Sequence, residues 1–236
     1  MATYKEIRGV NIQSLDSDPT AVEGEVWYNA STSKLKMYSS VGAWATGGNL
    51  NTAKRYGSTA GTQTAGVYFG GSPGSTIAEE TEEYDGSSWT ASGDLNTGRA
   101  TAGGTGIQTA ALCIGSYPAG AIVESYNGTS WTEIGDLTGG RHNLSSAGTT
   151  TAALAFGGEN ATAILAISEE WDGSSWTEGS DMNTGKYASA GAGTQTSALS
   201  MTGDDPPGAR TANVESYNGS SWTEVGNVNS ARYALA

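Results

Sequence analysis

The sequence predicts an all-β fold, a single five-bladed β-propeller, and three observations lead to this prediction. A unit recurs along the chain, with tryptophans 42–46 residues apart at Trp44, Trp89, Trp131, Trp176 and Trp222. Each unit has room for four short strands separated by turn residues, which is typical of a propeller blade. No segment of ten or more residues repeats its apolar positions with the 3.6-residue period of a helix.

The most regular element of each unit is a hairpin that ends on the tryptophan. Asp-Gly and Asn-Gly between β-prone residues are strong hairpin signals, and the two-residue turn that they favour needs a positive φ at both positions. A degenerate fifth copy spans residues 38–44. The four clear copies are Tyr84-Asp-Gly-Ser-Ser-Trp89, Tyr126-Asn-Gly-Thr-Ser-Trp131, Trp171-Asp-Gly-Ser-Ser-Trp176 and Tyr217-Asn-Gly-Ser-Ser-Trp222.

Two further strands precede each hairpin. The first is built of small residues, as in Ala100–Thr105 and Tyr187–Ala192, and the second is an apolar run such as Ala110–Gly115. All variation in unit length falls between the second and third strands, so these segments are expected to be surface loops on one face of the ring. The four loops are Gly71–Ala78, Ser116–Ala121, Gly158–Ala163 and Gly203–Thr211.

The two ends of the chain predict how the ring closes. Arg232–Ala236 matches the beginning of a first strand, whereas residues 25–28, 34–38 and 44–46 supply the later strands of a blade. The C-terminal strand is therefore expected to join the N-terminal blade, which would remove the exposed sheet edges. This assigns residues 1–24 to an N-terminal attachment segment and residues 25–236 to the five-bladed propeller.

Charged residues also recur in step with the tryptophans and are interpreted as structural anchors. A glutamate lies two residues before each hairpin aromatic, and we expect it to form a blade-to-blade ion pair with Arg99, Arg141, Lys186 or Arg232. Lys36 stands at the glutamate position of the degenerate first unit and breaks the pattern. The repeated cations are Lys54, Arg99, Arg141, Lys186 and Arg232, and the repeated glutamates are Glu82, Glu124, Glu169 and Glu215.

Composition excludes several classes of function. The net charge is −13 and the isoelectric point is about 4.3, which argues against binding of nucleic acid. One cysteine, Cys113, allows neither an internal disulfide nor a cysteine-based zinc site, and one histidine, His142, excludes a multi-histidine metal site. The sequence has no apolar stretch of 18 residues, and Met1–Val10 lacks the apolar centre of a signal peptide, so export by a standard signal is not expected. We expect no membrane insertion, no cofactor, and synthesis in a reducing cytoplasm.

The unit resembles the kelch motif. Phe69-Gly70-Gly71 and Phe156-Gly157-Gly158 match its double glycine, and the hairpin tryptophans match its tryptophan, whereas Gly115-Ser116 and Thr202-Gly203 depart from it. The N-terminal Met1-Ala-Thr-Tyr-Lys-Glu-Ile-Arg-Gly-Val10 is similar to openings of structural and tail-fibre proteins of tailed bacteriophages, and the Gly-Thr-Gln-Thr repeats are similar to virion proteins of marine phages. These resemblances imply a virion appendage or decoration protein, including one that contacts the host surface.

Enzymatic chemistry finds little support in the sequence. Copper oxidases of the kelch fold need histidines and a Tyr–Cys pair, which this chain lacks. Asp204-Asp205 and the acidic run Glu79–Glu83 lack the spacing of a calcium loop, so solvated acid is the preferred interpretation. His142 is interpreted as a packed or solvated side chain, and Cys113 as an inert core thiol. A glycosidase with two facing carboxylates remains the weakest hypothesis.

The preferred hypothesis is a non-enzymatic structural protein of a virion, docked to other virion proteins through residues 1–24 and forming a homo-oligomer. The alternative is a glycan-binding lectin with one shallow site per blade, for which host surface glycans would be the partners. In both cases the variable loops are the candidate binding surface. The candidate loop residues are Ser72, Tyr117, Asn160, Asp204 and Asp205.

Overall fold

All regular secondary structure in the described residues is β, as the strand-length patterns predict. A computed structural model of the chain describes residues 13–20, 26–37, 46–118 and 120–233. Within them there is no helix with the length and apolarity needed to cross a membrane. The chain divides into two compact units, Met1–Thr46 and Gly47–Ala236.

The first unit contains a three-stranded sheet. Strand β1 (Gln13–Leu15) pairs in parallel with β2 (Val26–Asn29), which pairs in antiparallel with β3 (Lys34–Met37). The carboxylate of Asp18 accepts hydrogen bonds from Trp27 Nε1 at 3.1 Å and Asn29 Nδ2 at 2.6 Å, and it lies 2.6 Å from Lys36 Nζ. The strands expected near residues 25–28 and 34–38 are therefore present, whereas Trp44 and the degenerate copy at 38–44 lie outside the described residues.

The second unit contains four antiparallel sheets of four strands, one for each clear copy of the repeat. Sheet I consists of β4 (Ser58–Thr62), β5 (Ala65–Phe69), β6 (Thr81–Tyr84) and β7 (Trp89–Ala91). Sheet II consists of β8 (Gly103–Ile107), β9 (Ala110–Ser116), β10 (Gly120–Tyr126) and β11 (Trp131–Glu133).

Sheets III and IV repeat this order. Sheet III consists of β12 (Ser145–Gly148), β13 (Ala153–Phe156), β14 (Ser168–Trp171) and β15 (Trp176–Glu178). In sheet IV a two-stranded hairpin of β18 (Asp204–Asp205) and β19 (Ala209–Arg210) is inserted between the second and third strands. The four main strands of sheet IV are β16 (Ala190–Thr194), β17 (Ser197–Met201), β20 (Val214–Tyr217) and β21 (Trp222–Val225).

The turn before each tryptophan differs from the predicted type. In the first hairpin four residues, 85–88, separate the paired Tyr84 and Trp89. Only the glycine has a positive φ, +94° at Gly86, whereas Asp85 does not. Asp85 Oδ1 instead accepts hydrogen bonds at 2.8 Å from the backbone N–H groups of Ser87 and Ser88. The prediction of a hairpin is confirmed, but the two-residue turn was wrong because the Asp or Asn side chain stabilises a longer loop.

The first strands of the four sheets, called the inner strands, lie side by side in the order β4, β8, β12, β16. Small residues are required here because the backbones approach closely. A Cβ on Gly104 would lie 2.6 Å from the carbonyl oxygen of Thr59, and one on Gly191 would lie 2.6 Å from that of Ser146. Hydroxyls join the neighbours, as Ser58 Oγ donates to Ala102 O at 2.7 Å and Thr105 Oγ1 donates to Gly148 O at 2.9 Å.

The apolar core lies between successive sheets, where the tryptophans that begin the fourth strands of sheets II, III and IV pack on the preceding sheet. The Trp131 ring meets Phe69 of sheet I edge-on at a centroid distance of 4.7 Å, and its Nε1 donates to Thr81 Oγ1 at 2.9 Å. Trp222 packs in the same way on Phe156 of sheet III. These interfaces give the unit a β-propeller-like arrangement, which confirms the predicted all-β class with four-stranded units.

Candidate functional site

The repeated charged residues form four buried glutamate sites, each defined by one glutamate and the groups that donate to it. At the second of these, Glu124 pairs with the guanidinium of Arg99, and both side chains are fully buried. Its carboxylate also accepts from Asn96 N at 2.8 Å, Asn96 Nδ2 at 2.7 Å and Thr97 N at 3.3 Å. Every lone pair direction is thus used, so the carboxylate is a structural centre that joins the connector between two sheets to the later sheet.

The other three sites follow the same plan with small differences. Arg141 pairs with Glu169, Lys186 Nζ lies 3.3 Å from Glu215, and Lys54 Nζ lies 3.7 Å from Glu82. Burial lowers the pKa of the Lys186 ammonium, while the carboxylate of Glu215 acts in the opposite direction. An asparagine three residues before the cation contributes to three sites, at Asn51, Asn96 and Asn183. The sequence signal Asn-x-x-Lys/Arg could have revealed this role.

Three of the four cations expected to pair with the repeated glutamates do so, namely Arg99, Arg141 and Lys186. Each glutamate pairs with a cation 25 to 29 residues earlier in the chain. The reason is that the connector carrying the cation packs against the third strand of the sheet that it precedes. Arg232, the fourth cation expected to pair with a repeated glutamate, is instead exposed, and its Nε donates to Ser230 O. Its place in the set is taken by Lys54, which lies beside Glu82.

The variable loops join the second and third strands of all four sheets, as predicted, and most of their candidate residues stabilise the loops themselves. Ser72 is buried, and its Oγ donates to Thr76 O at 2.7 Å. Asn160 Oδ1 accepts from Thr162 N at 2.9 Å, and Asp204 accepts from the hydroxyl of Tyr187 at 3.0 Å. Asp205 lies in the inserted hairpin of sheet IV. Tyr117 differs, because 58% of it is exposed.

A second set of positions on the same face varies in chemistry from sheet to sheet. The residue after each repeat cation pairs through its backbone with the beginning of the variable loop, and we call each such pair a rim pair. The sequence analysis named Ser72, Tyr117 and Asp204 as candidate loop residues but missed their partners, although the residue after each cation changes from unit to unit while the cation recurs. The rim pairs are Arg55 with Ser72, Ala100 with Tyr117, His142 with Glu159, and Tyr187 with Asp204.

The small rim residue of sheet II leaves a cleft of about 340 Å³ on this face. Ala100 and Thr101 form its floor, and the exposed ring of Tyr117 stands beside them. Arg55 and Tyr56 of sheet I bound one side, with the Arg55 guanidinium 5.1 Å from the centre of the Tyr56 ring. The loop at 72–77 of sheet I and residues 142–143 of sheet III complete the lining, so five segments distant in sequence meet at one place. The cleft presents aromatic surface with polar groups around it.

The opposite wall of the cleft comes from sheet III. The His142 ring meets Tyr117 edge-on, with ring centres 5.7 Å apart, and its Nε2 lies 3.5 Å from Glu159 Oε1. Asn143 Nδ2 donates to the same carboxylate oxygen at 2.8 Å. His142 is therefore partly exposed at the edge of the cleft, with a carboxylate behind it.

A larger cavity of about 580 Å³ lies among the four inner strands. It is lined mainly by serine, glycine, alanine and threonine, together with Leu144 and Met201, and Tyr56 and Asn143 lie at its boundary with the cleft. No aspartate or glutamate belongs to its described lining. The facing carboxylates that a glycosidase needs are thus not found in this described lining.

Other reactive groups are engaged in the core or in turns. Cys113 is buried, and burial raises the pKa of its thiol to about 12, so it stays protonated as expected of a core thiol. In the acidic run, Glu82 belongs to a buried glutamate site and Glu83 accepts from the Tyr126 hydroxyl at 2.7 Å. Over the described ranges, no three His, Cys, Asp or Glu side chains come together as a possible metal site.

Comparison with known proteins adds no assignment to this geometry. No protein-family model matches the chain, and no curated protein sequence matches it.

Proposed function

We propose that the chain is a non-enzymatic structural protein of a virion, of tail-fibre or decoration type, which displays a propeller for assembly or for contact with a host surface. One observation carries the proposal. The repeated Trp, Glu, Lys and Arg side chains of the four sheets are used to hold the sheets together, whereas the rim pairs differ from sheet to sheet. A constant scaffold with a varied face is the organisation of a display module.

The finer architecture that we propose is a closed ring of five blades, with kelch-like repeats. The C-terminal residues support it because they continue the repeat beyond sheet IV. Gly203 N donates to Arg232 O at 2.9 Å, just as Gly71 N and Gly158 N donate to Arg99 O and Lys186 O at 2.8 Å. The backbone after sheet IV therefore follows the path that, in the other repeats, leads into the inner strand of the next sheet. In the proposed ring this strand joins the strands at 25–28, 34–38 and 44–46 to form the fifth blade.

The exposed face of sheet I, the first of the four sheets, also supports a fifth blade. Trp131, Trp176 and Trp222 are 5–7% exposed because each is covered by a preceding sheet. Trp89 is partly exposed and borders an open groove of about 370 Å³ with Tyr84, Val67 and Gln63. A fifth blade would cover this groove, and the apolar surface buried would stabilise the closed ring.

Paired tryptophan substitutions test closure. If the ring is closed, Trp89→Ala lowers the free energy of unfolding about as much as the control Trp131→Ala, roughly 3–5 kcal/mol. Urea unfolding followed by circular dichroism measures both. A loss for Trp89→Ala of less than half the control value would contradict closure.

The virion assignment is supported by the resemblance of the N-terminal residues to phage structural proteins, and it predicts docking through residues 1–24 to other virion proteins in a homo-oligomeric arrangement. Deleting residues 1–24 should abolish incorporation into particles while leaving the second unit folded. Quantifying the chain in purified particles by mass spectrometry tests this, with the Glu133→Gln variant as a control for expression. Undiminished incorporation of the truncated chain would refute the docking role.

A glycan-binding lectin is the second candidate. The exposed tyrosines Tyr56 and Tyr117, 57% and 58% exposed on the face of the rim pairs, favour it. Silence on an array of bacterial surface glycans would remove this candidate without affecting the structural role.

A further inference from the structure

We propose that the cleft over Ala100 binds the ring of a neutral pyranose sugar. The inference rests on the lectin candidate and sharpens it, because it replaces one shallow site per blade with a single site between sheets I and III. The sheet II rim pair creates the site: where the other sheets carry arginine, histidine or tyrosine after the cation, sheet II carries alanine.

The aromatic surface of the cleft suits the apolar face of a sugar. Exposed aromatic rings have a negative face that attracts the weakly positive C–H bonds of a pyranose. Two backbone hydrogen bonds hold Tyr117 in place beside the cleft. Its N–H donates to Ala100 O at 3.0 Å, and its carbonyl accepts from Ala100 N at 2.9 Å. Its side chain remains 58% exposed, and the Tyr56 ring stands across the floor of the cleft.

Polar groups for the sugar hydroxyls surround this surface. Arg55, His142 and Asn143 carry N–H donors at the two walls. The Thr101 hydroxyl on the floor donates to Ala100 O at 2.6 Å, so its oxygen is available as an acceptor. A few polar groups around an aromatic surface in a cleft of this volume are what small-ligand sites commonly contain, since these range from roughly 300 to 1,000 Å³.

The charges at the cleft favour a neutral ligand. Arg55 on one wall and Glu159 behind His142 on the other have opposite signs, so their fields oppose each other inside the cleft. The net charge of −13 on the whole chain repels anions at longer range. A sugar without a carboxylate is therefore the expected ligand.

Saturation-transfer NMR on the full chain tests the proposal with methyl pyranosides of glucose, galactose, mannose and N-acetylglucosamine. We expect at least one to bind with a dissociation constant on the order of 1 mM. Tyr117→Ala should weaken binding at least about tenfold, and Ala100→Arg should do the same by filling the cleft with the residue type that sheet I carries there. Tyr233→Ala, which removes an exposed tyrosine at the corresponding position after Arg232, should leave the affinity unchanged.

Several results would overturn the assignment. The absence of signal from all four neutral glycosides would refute it, as would tighter binding of methyl glucuronide than of methyl glucoside. Binding that survives both Tyr117→Ala and Ala100→Arg, in variants with unchanged melting temperature, would place the sugar elsewhere and leave the lectin candidate standing. Incorporation into particles is measured separately, so these failures are distinguishable from failure of the structural role.

Discussion

The buried pair of Arg99 and Glu124 leads to the most demanding prediction of the structure. Glu124→Gln keeps the size of the side chain but removes its charge, which leaves a fully buried guanidinium without a counter-ion and places an amide N–H₂ among donors. Breaking a buried pair by removing one partner costs about 3–5 kcal/mol. For a domain of this size each kcal/mol shifts the melting temperature by roughly 2–4 °C. The expected decrease is therefore about 6–20 °C, measured by circular dichroism.

Three comparison variants decide whether the buried, unpaired charge is the cause of the loss. Glu133 lies opposite Glu124 on the neighbouring strand but is exposed, so Glu133→Gln should change stability by less than about 0.5 kcal/mol. Glu82→Gln should cost less than Glu124→Gln, because Lys54 also has Glu80 at 3.8 Å. Adding Arg99→Met to Glu124→Gln should recover part of the loss, since the unpaired charge is removed. Equal losses for Glu124→Gln and Glu82→Gln would refute the reasoning.

Three other predictions follow from single positions. Trp176 Nε1 is buried without a hydrogen-bond partner, whereas the corresponding Nε1 atoms of Trp131 and Trp222 donate to Thr81 and Ser168. Val123→Thr places a hydroxyl at the matching position of sheet II and should raise the free energy of unfolding, measured by urea denaturation, by about 0.5–1.5 kcal/mol. The control Val214→Thr should give no such gain. Lys186→Arg should be stabilising by a similar amount in the same assay. The Lys186 Nζ faces Glu215 at 3.3 Å without a well-aligned hydrogen bond, and a guanidinium offers more donors in a planar arrangement. A loss of stability would contradict this. Burial, with the hydrogen bond to Glu170, raises the pKa of Tyr217 to about 12 from its usual 10. The unfolded chain therefore loses this proton at a lower pH than the folded chain, and the free energy of unfolding should fall between pH 10 and 12. If Tyr217→Phe leaves the slope of unfolding free energy against pH unchanged in this range, the assignment is contradicted.

The strand pattern could be predicted because it depends on residues close together in the sequence, such as apolar runs and turn residues. The apolar run at 110–115 became β9, and the hairpin aromatics Tyr126 and Trp131 pair directly across the loop. Loop lengths identified the connections between second and third strands. The turn type was mispredicted for a local reason, because the Asp85 side chain competes with the backbone as an acceptor for the turn N–H groups.

The partners of buried charges could not be predicted from order along the chain. Glu124 has cations at comparable separations on both sides, Arg99 before it and Arg141 after it. Which of them pairs depends on the sheet against which the connector packs, and this is a property of the assembled interfaces. The cleft was still less predictable from the sequence. Its residues Tyr56, Ala100, Tyr117 and His142 become neighbours only when three sheets lie side by side.

The amino-acid sequence by itself determined the all-β class, the repeat, the strand order within each unit and the anchors that recur, because these depend on local periodicity and on turn residues that act within a few positions. Tertiary structure alone decided which charges neutralise one another and where aromatic surface stays exposed. The physical reason is that electrostatic pairing and burial depend on distance in space, and the packing of one sheet on the next brings together residues that are 40 or more positions apart in the chain.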